Sequence, residues 1–259
     1  MKQAYSPTKR VFDLNFFLCG NSGSGKTHFA ASYTAGPIHF YMLDVGGHKT
    51  IEKCLIDRPA KASQVSVDIM SGDDFTFSKI YRQISQDERE GLFTELAAAN
   101  GIVVLDSLTT LNEKAKSEIA IKNNRVLYSI GSANKNQGLQ ISDWGQLGHW
   151  MNHLIKGFQD LPCATITTVH LHTIMDGEQT VVGRYPSLNG QLRQTVGVNF
   201  DETYLLEMRG DKQIIHFKEH LKFEAKSRSF SDKSVRDCTM DDIYQAYTNN
   251  QTTLMEAKK

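Results

Sequence analysis

The sequence predicts an α/β fold, a mostly parallel central sheet flanked by helices, and three observations predict it. Apolar runs of strand length recur at 13–19, 38–43, 65–70, 102–105 and 164–169. Segments with helical spacing, at 75–86, 88–99, 107–123 and 143–159, separate them. The runs are apolar on both faces, which is how strands read when helices cover the sheet on each side.

The first run, 13–19, leads straight into Gly20-Asn-Ser-Gly-Ser-Gly-Lys-Thr27, so it reads as a buried strand ending in a tight turn. Beyond residue 170 the texture changes. Asp176-Gly177 sits between β-prone flanks at 173–182, and Arg209-Gly-Asp-Lys212 separates 204–208 from 213–217. Both are hairpin patterns, so antiparallel strands should extend the sheet after residue 170. A last helix is expected at 240–248. No repeat or linker interrupts the chain, so one domain is expected over 1–250, with a frayed tail at 251–259.

The 259 residues carry 29 Lys and Arg against 29 Asp and Glu, are 40% hydrophobic, and can bury a core without staples. Zero net charge excludes a uniformly basic nucleic-acid coat while leaving local patches open. Cys19, Cys54, Cys163 and Cys238 lie far apart with no C-x-x-C pair and read as reduced thiols. No apolar stretch is long enough to span a membrane, and the first fifteen residues lack a signal-peptide core, so a cytoplasmic location with no membrane partner is expected.

Gly20-x-x-x-x-Gly25-Lys26-Thr27 is the pattern of a phosphate-binding loop. Gly20, Gly23 and Gly25 let the backbone turn and bring the N–H groups of Asn21, Ser22, Ser24 and the residues through His28 toward phosphate. Lys26 supplies the ammonium for the β- and γ-phosphates, and the Thr27 hydroxyl supplies a Mg²⁺ ligand. A carboxylate at the end of a strand beside the loop's strand should complete the site. Asp106, after Ile102-Val-Val-Leu105, meets that need and would hold Mg²⁺ through water.

Asp44 ends the run 38–43 and is the candidate to orient or deprotonate attacking water. Asp44-Val-Gly-Gly47 also fits the D-x-x-G switch of a GTPase. However, Asn134-Lys-Asn-Gln137 lacks the Asp that would read guanine, which makes ATP the expected nucleotide.

These segments resemble RecA-like P-loop ATPases in their order. More narrowly, Ile141-Ser-Asp-Trp-Gly145, Leu161-Pro162, Thr168-Val-His170, Pro186-Ser-Leu-Asn-Gly190 and Asn199-Phe-Asp-Glu202 resemble phage nucleotide-binding proteins of the AAA/RecA group, which include single-strand annealing proteins. The resemblance implies an ATPase acting on single-stranded DNA in recombination or annealing, in the cytoplasm of a bacterial host. It also implies a homo-oligomeric ring or filament, with a single-strand DNA-binding protein as a further partner. Thr168 and His170 correspond to the strand that senses the γ-phosphate. Lys226 and Arg228 resemble the K-x-R pair that KaiC- and DnaB-type rings insert into the neighbouring subunit's site. Two positions depart from the pattern: Val45-Gly46 stands where a second acid is usual, which leaves the role to Asp44, and Gln191 replaces an expected Lys.

The resemblance places DNA-facing loops at 112–142 and 172–194. The first contains Lys114, Lys116, Lys122, Arg125 and Lys135 against Glu113 and Glu118; the second contains Arg184, Tyr185 and Arg193, an aromatic between cations. His149 with His153, and His170 with His172, have spacings that put both side chains on one face. No carboxylate motif accompanies them, so they read as ordinary surface or core residues. A small-molecule kinase, and a nucleotide-gated module with negligible hydrolysis, remain as rival functions.

Overall fold

In the computed structural model, residues 12–125, 127, 138–177 and 180–254 are described. The parallel core of the sheet consists of β1 (Asn15–Gly20), β2 (Ile38–Met42), β3 (Val65–Ile69), β4 (Ile102–Asp106), β5 (Ala164–Met175) and β7 (Glu202–Arg209). Its order is β7-β1-β5-β4-β2-β3. Antiparallel strands extend it as expected: β8 (Lys212–His216) pairs with β7, β10 (Ser234–Arg236) with β8, β9 (Lys226–Ser227) with β7, and β6 (Val181–Pro186) with β5.

Because side chains alternate along a strand, β1 feeds two cores at once. Phe16 and Leu18 face one cluster with Phe29 and Tyr33, while Phe17 and Cys19 face the other with Phe200 and Leu105. Phe17 and Phe200 stack with centroids 4.7 Å apart. Burial of each such ring contributes about 1.5–3 kcal/mol, so the two-sided hydrophobicity of β1 places it firmly inside the sheet. β3 departs from the two-sided reading. It is the edge of the sheet, and its residues are half-buried or exposed, since one side has no neighbouring strand.

Helices α1 (Lys26–Ala31), α2 (His48–Asp57) and α8 (Met240–Thr248) cover the first face. Helices α3 (Phe77–Glu90), α4 (Leu92–Ala98), α5 (Leu108–Lys122), α6 (Ile141–Gln159) and α7 (Leu192–Thr195) cover the second. Local chemistry sets their ends. Gly91, at φ 91°, closes α3 and opens α4, so the break falls there rather than at residue 87. Gln140 and Asp143 form a capping box that starts α6 two residues ahead of the expected position. On α6, Trp150 packs on the core, whereas Trp144 is 40% exposed.

Of the segment after α8, Gln251 N–H donates to the Ala246 carbonyl and Leu254 N–H to Asp232, each at 2.8 Å; residues 255–259 lie outside the described residues. All four cysteines are buried and unpaired with one another. No helix among the described residues is long and apolar enough to cross a membrane.

Candidate nucleotide site

The site gathers where β1 and β4 end, at Gly20 and Asp106, beside Thr168 and His170 in the middle of β5 and Asp44 just past β2. One expectation needs correcting: β4, which carries Asp106, is not beside β1, because β5 runs between them. The insertion is what brings Thr168 of β5 against Asp106.

Gly20 ends β1 where no side chain fits, since an added Cβ would come 2.6 Å from the Leu206 carbonyl. The loop then turns, and Gly25 at φ 83° starts α1 in the left-handed region that side chains avoid. Lys26 is buried, and its Nζ donates to the carbonyls of Gly20 at 2.9 Å and Asn21 at 3.0 Å. Burial pushes its pKa below the usual lysine value, with Asp106 pulling in the opposite direction.

Asp106 is held from both sides. Thr27 Oγ1 donates to its Oδ2 at 2.6 Å, and Thr168 Oγ1 donates to its Oδ1. Burial raises its pKa above the ordinary carboxylate value despite these two hydrogen bonds. Asp44 is the opposite case. Burial alone would raise its pKa, but donors from His170 (Nε2 to Oδ2, 3.1 Å), Thr110 and Ser107 (Oγ to Oδ1, 2.8 Å) bring it below the ordinary value. The backbone adds further ties: Leu43 N–H donates to the Asp106 carbonyl at 2.6 Å, and His170 N–H donates to Thr109 Oγ1 at 2.9 Å.

A cleft of about 400 Å³ opens between these groups, lined by Ser22, Gly23, Gly25 to His28, Asp44 to Gly47, Thr50, Asp106 and His170. Its donor set fits a magnesium–nucleotide pair. A hydroxyl and a carboxylate are the hard oxygen ligands Mg²⁺ prefers, and Thr27 and Asp106 both line the cleft. Thus Lys26, Thr27, Asp44, Asp106, Thr168 and His170 come together as candidate site residues. Sequence reasoning missed Ser107, Thr110 and Gln213. Gln213 Nε2 donates to the Ser24 carbonyl at 2.8 Å and props the loop from β8. Small hydroxyl residues after Asp106 were the visible signal for the first two; nothing local marked Gln213.

The remaining candidates lie elsewhere. Lys226 and Arg228 lie at or just after β9, level with the start of β7 and so at the sheet end opposite the loop. Lys226 Nζ donates to the Val198 carbonyl at 2.7 Å, and Arg228 pairs with Asp201 at 3.0 Å. On α5, Lys114 donates to the Gly72 carbonyl, Lys116 pairs with Glu113, and Lys122 pairs with Glu118 and lies over Trp150. Arg125 is bound to Asp143 at 3.0 Å, and Lys135 lies outside the described residues. Arg184, itself paired with Glu207 at 2.8 Å, gathers with Tyr185, Arg193, Lys222 and Lys226 around a cavity of about 490 Å³. His149 and His153 are exposed on α6, where His153 meets Tyr81 at 3.1 Å.

Solved structures resemble this chain distantly. An ATPase from the type III secretion system of pathogenic bacteria is 14% identical with a TM-score of 0.48, covering 75% of this chain and 51% of that one. A KaiC-like protein from the archaeon Pyrococcus horikoshii is 12% identical with a TM-score of 0.47, covering 86% and 83%. The assembled ATPase EscN of enteropathogenic E. coli is 13% identical with a TM-score of 0.45, covering 75% and 43%. The chain thus spans about half the length of the first of these. No curated protein matches it. Residues 13–229, which include the phosphate-binding loop, Asp44, Asp106, Thr168 and His170, match the AAA domain family, and the chain belongs to that family.

Proposed function

We propose that this protein is a Mg²⁺-dependent ATPase that works as a homo-oligomer on single-stranded DNA, in recombination or annealing of the phage type. One observation carries the reading: Thr27 and Thr168 donate to the two oxygens of the same buried Asp106, with Lys26 alongside. Thr27 and Asp106 are the residues that would hold Mg²⁺, which supplies neutralising charge to the phosphates when bound. Lys26 adds a cation from the loop. Asp44, ionised at neutral pH and braced by His170, orients a water in the cleft. Thr168 and His170 on one strand link the phosphate end of the site to the hairpin β5–β6 beyond it.

For DNA, the support is the cavity where Arg184, Tyr185, Arg193, Lys222 and Lys226 meet, with the Arg193 guanidinium 5.7 Å from the Tyr185 ring centre. For a shared site between subunits, the support is the position of Lys226 and Arg228, too far along the sheet to serve their own loop. An ATPase assay with and without single-stranded DNA tests the whole. Mg²⁺-dependent hydrolysis stimulated by DNA is expected; turnover that needs a nucleoside or monophosphate and ignores DNA would establish a kinase instead.

A second reading has its own observation. Asp44 accepts three hydrogen bonds and has a depressed pKa, which makes it a weak base. A nucleotide-gated DNA-binding module with negligible hydrolysis follows if ATP binds tightly, DNA binding responds to it, and phosphate release stays at background.

A further inference from the structure

We propose that Glu207, His216 and His220 form a site for a divalent transition metal, zinc by preference, on the side of the phosphate-binding loop away from the ATP cleft. Glu207 on β7 and His216 on β8 lie diagonally across an antiparallel pair, on the same face, because Glu207 is opposite Ile214 and Leu205 is opposite His216. His220 is brought to them by a two-residue turn in which His220 and Phe223 exchange backbone hydrogen bonds at 3.1 and 2.9 Å. The turn holds Leu221 at φ 48° and Lys222 at φ 61°, left-handed conformations that bulky side chains adopt at a cost, so this return is imposed by the surroundings.

The distances suit a small tetrahedral ion. Glu207 Oε2 lies 3.3 Å from His216 Nε2 and 3.5 Å from His220 Nε2. Ligand bonds of about 2.0–2.1 Å arranged tetrahedrally give ligand-to-ligand edges of roughly 3.3–3.4 Å. A donor atom from each of the three residues lies within 4.8 Å of the others. The imidazoles stack with centroids 3.7 Å apart and planes 6° from parallel, so metal capture would tilt the rings until their lone pairs converge.

Two nitrogens and one carboxylate are a zinc ligand set with a fourth position open. Glu207 borders a cavity of about 400 Å³ that it shares with Arg209, Leu221 and Asn21 to Ser24 of the loop. The facing charges are Arg184, whose Nη1 binds Glu207 Oε1 at 2.8 Å, and Arg209, whose Nη2 lies 3.9 Å from Oε2 and 3.4 Å from His220 Nε2. Arg184 leaves Oε2 free and orients the carboxylate, as supporting hydrogen bonds do around metal ligands. Arg209 is largely exposed and would swing away.

The protonation states also suit a ligand set. Burial, then the neighbouring His220, lowers the His216 pKa and keeps its ring neutral. Burial would raise that of Glu207, but the hydrogen bond from Arg184 brings it below the usual value. A second cluster, His39, Asp68 and Asp87, is less available, because Asp87 already accepts from Tyr41 and from Gln83.

The experiment uses tag-free, chelator-treated protein titrated with Zn²⁺ by calorimetry and with Co²⁺ by visible absorption. One equivalent of Zn²⁺ should bind, with a tetrahedral Co²⁺ spectrum and a rise in melting temperature. Glu207→Gln and His220→Gln should each weaken Zn²⁺ by more than the roughly 10–100-fold lost with a supporting hydrogen bond. His220 lies in a surface turn, so its variant keeps the test valid where a buried His216→Gln fails to fold. Asp44→Asn should leave Zn²⁺ affinity unchanged. Absence of Zn²⁺ binding overturns the proposal, as does binding lost in Asp44→Asn but kept in His220→Gln, which would put the ion in the nucleotide cleft.

Discussion

His170 and Asp44 meet at 3.1 Å, Nε2 to Oδ2, although His170 lies within β5 and Asp44 follows β2, strands that are not neighbours: β4 lies between them. The contact spans Asp106 on that middle strand and joins β5 to the acid proposed to orient water. His170→Ala should therefore reduce ATP turnover by about 10- to 100-fold while leaving ATP affinity nearly intact. It also has a pH signature. Asp44 is held below its ordinary pKa, so its ionised form persists into acid and is lost as pH falls through that depressed value. Removal of the His170 donor raises that value, and the acid limb of the pH–rate profile should move to higher pH.

Lys26→Ala removes the buried cation beside Asp106. ATP affinity measured by fluorescence titration should fall by at least about 100-fold, the scale of one charge-assisted contact of roughly 3 kcal/mol. Affinity within a few-fold of the parent would sink the nucleotide site.

Asp106→Asn separates stability from function. Burial raises the Asp106 pKa, so ionisation of this group opposes folding at every pH above the unfolded carboxyl value and ceases to do so only as pH falls below it. A neutral amide keeps contact with both threonines, its oxygen accepting from one hydroxyl and its NH2 donating to the other. The variant should melt higher than the parent at neutral pH, by about 1–2 kcal/mol in stability, and lose Mg²⁺-dependent hydrolysis. A lower melting temperature would show that the paired carboxylate stabilises the fold.

Arg228→Ala tests the shared site through mixing. Its salt bridge with Asp201 is surface-exposed and worth about 0–1 kcal/mol, so folding should survive. Hydrolysis should drop while ATP binding remains. Mixed oligomers of Arg228→Ala and Lys26→Ala subunits should regain activity, since an intact loop then faces an intact Arg228; no recovery in a confirmed mixed oligomer argues against action in trans.

For DNA, salt dependence separates phosphate contacts from adventitious association. Arg193→Ala should weaken single-strand binding and flatten the slope of log affinity against log salt by about 0.7, the loss of one phosphate contact. An unchanged slope would remove Arg193 from the interface.

The phosphate-binding loop and the acid-ended strands were legible because their signals are local: glycines where backbone must turn, two-sided hydrophobic runs, an acid after two of those runs. Those features alone determined the α/β layers, Lys26, Thr27, Asp44 and Asp106. Strand order is not local. Nothing in the residues of β5 says that it inserts between β1 and β4, yet that insertion makes Thr168 a partner of Asp106 and lets His170 reach Asp44.

Pairing of charges likewise depended on distant segments. Arg125 and the α5 lysines read as a basic patch, but the folded chain sets them against Asp143, Glu118, Glu113 and a backbone carbonyl. The Glu207, His216 and His220 cluster was invisible for the same reason, since a β-pairing register and a left-handed turn, rather than sequence spacing, bring its nitrogens to one carboxylate. Residue chemistry fixed which groups could bind phosphate; only the packing of strands decided which of them share a site.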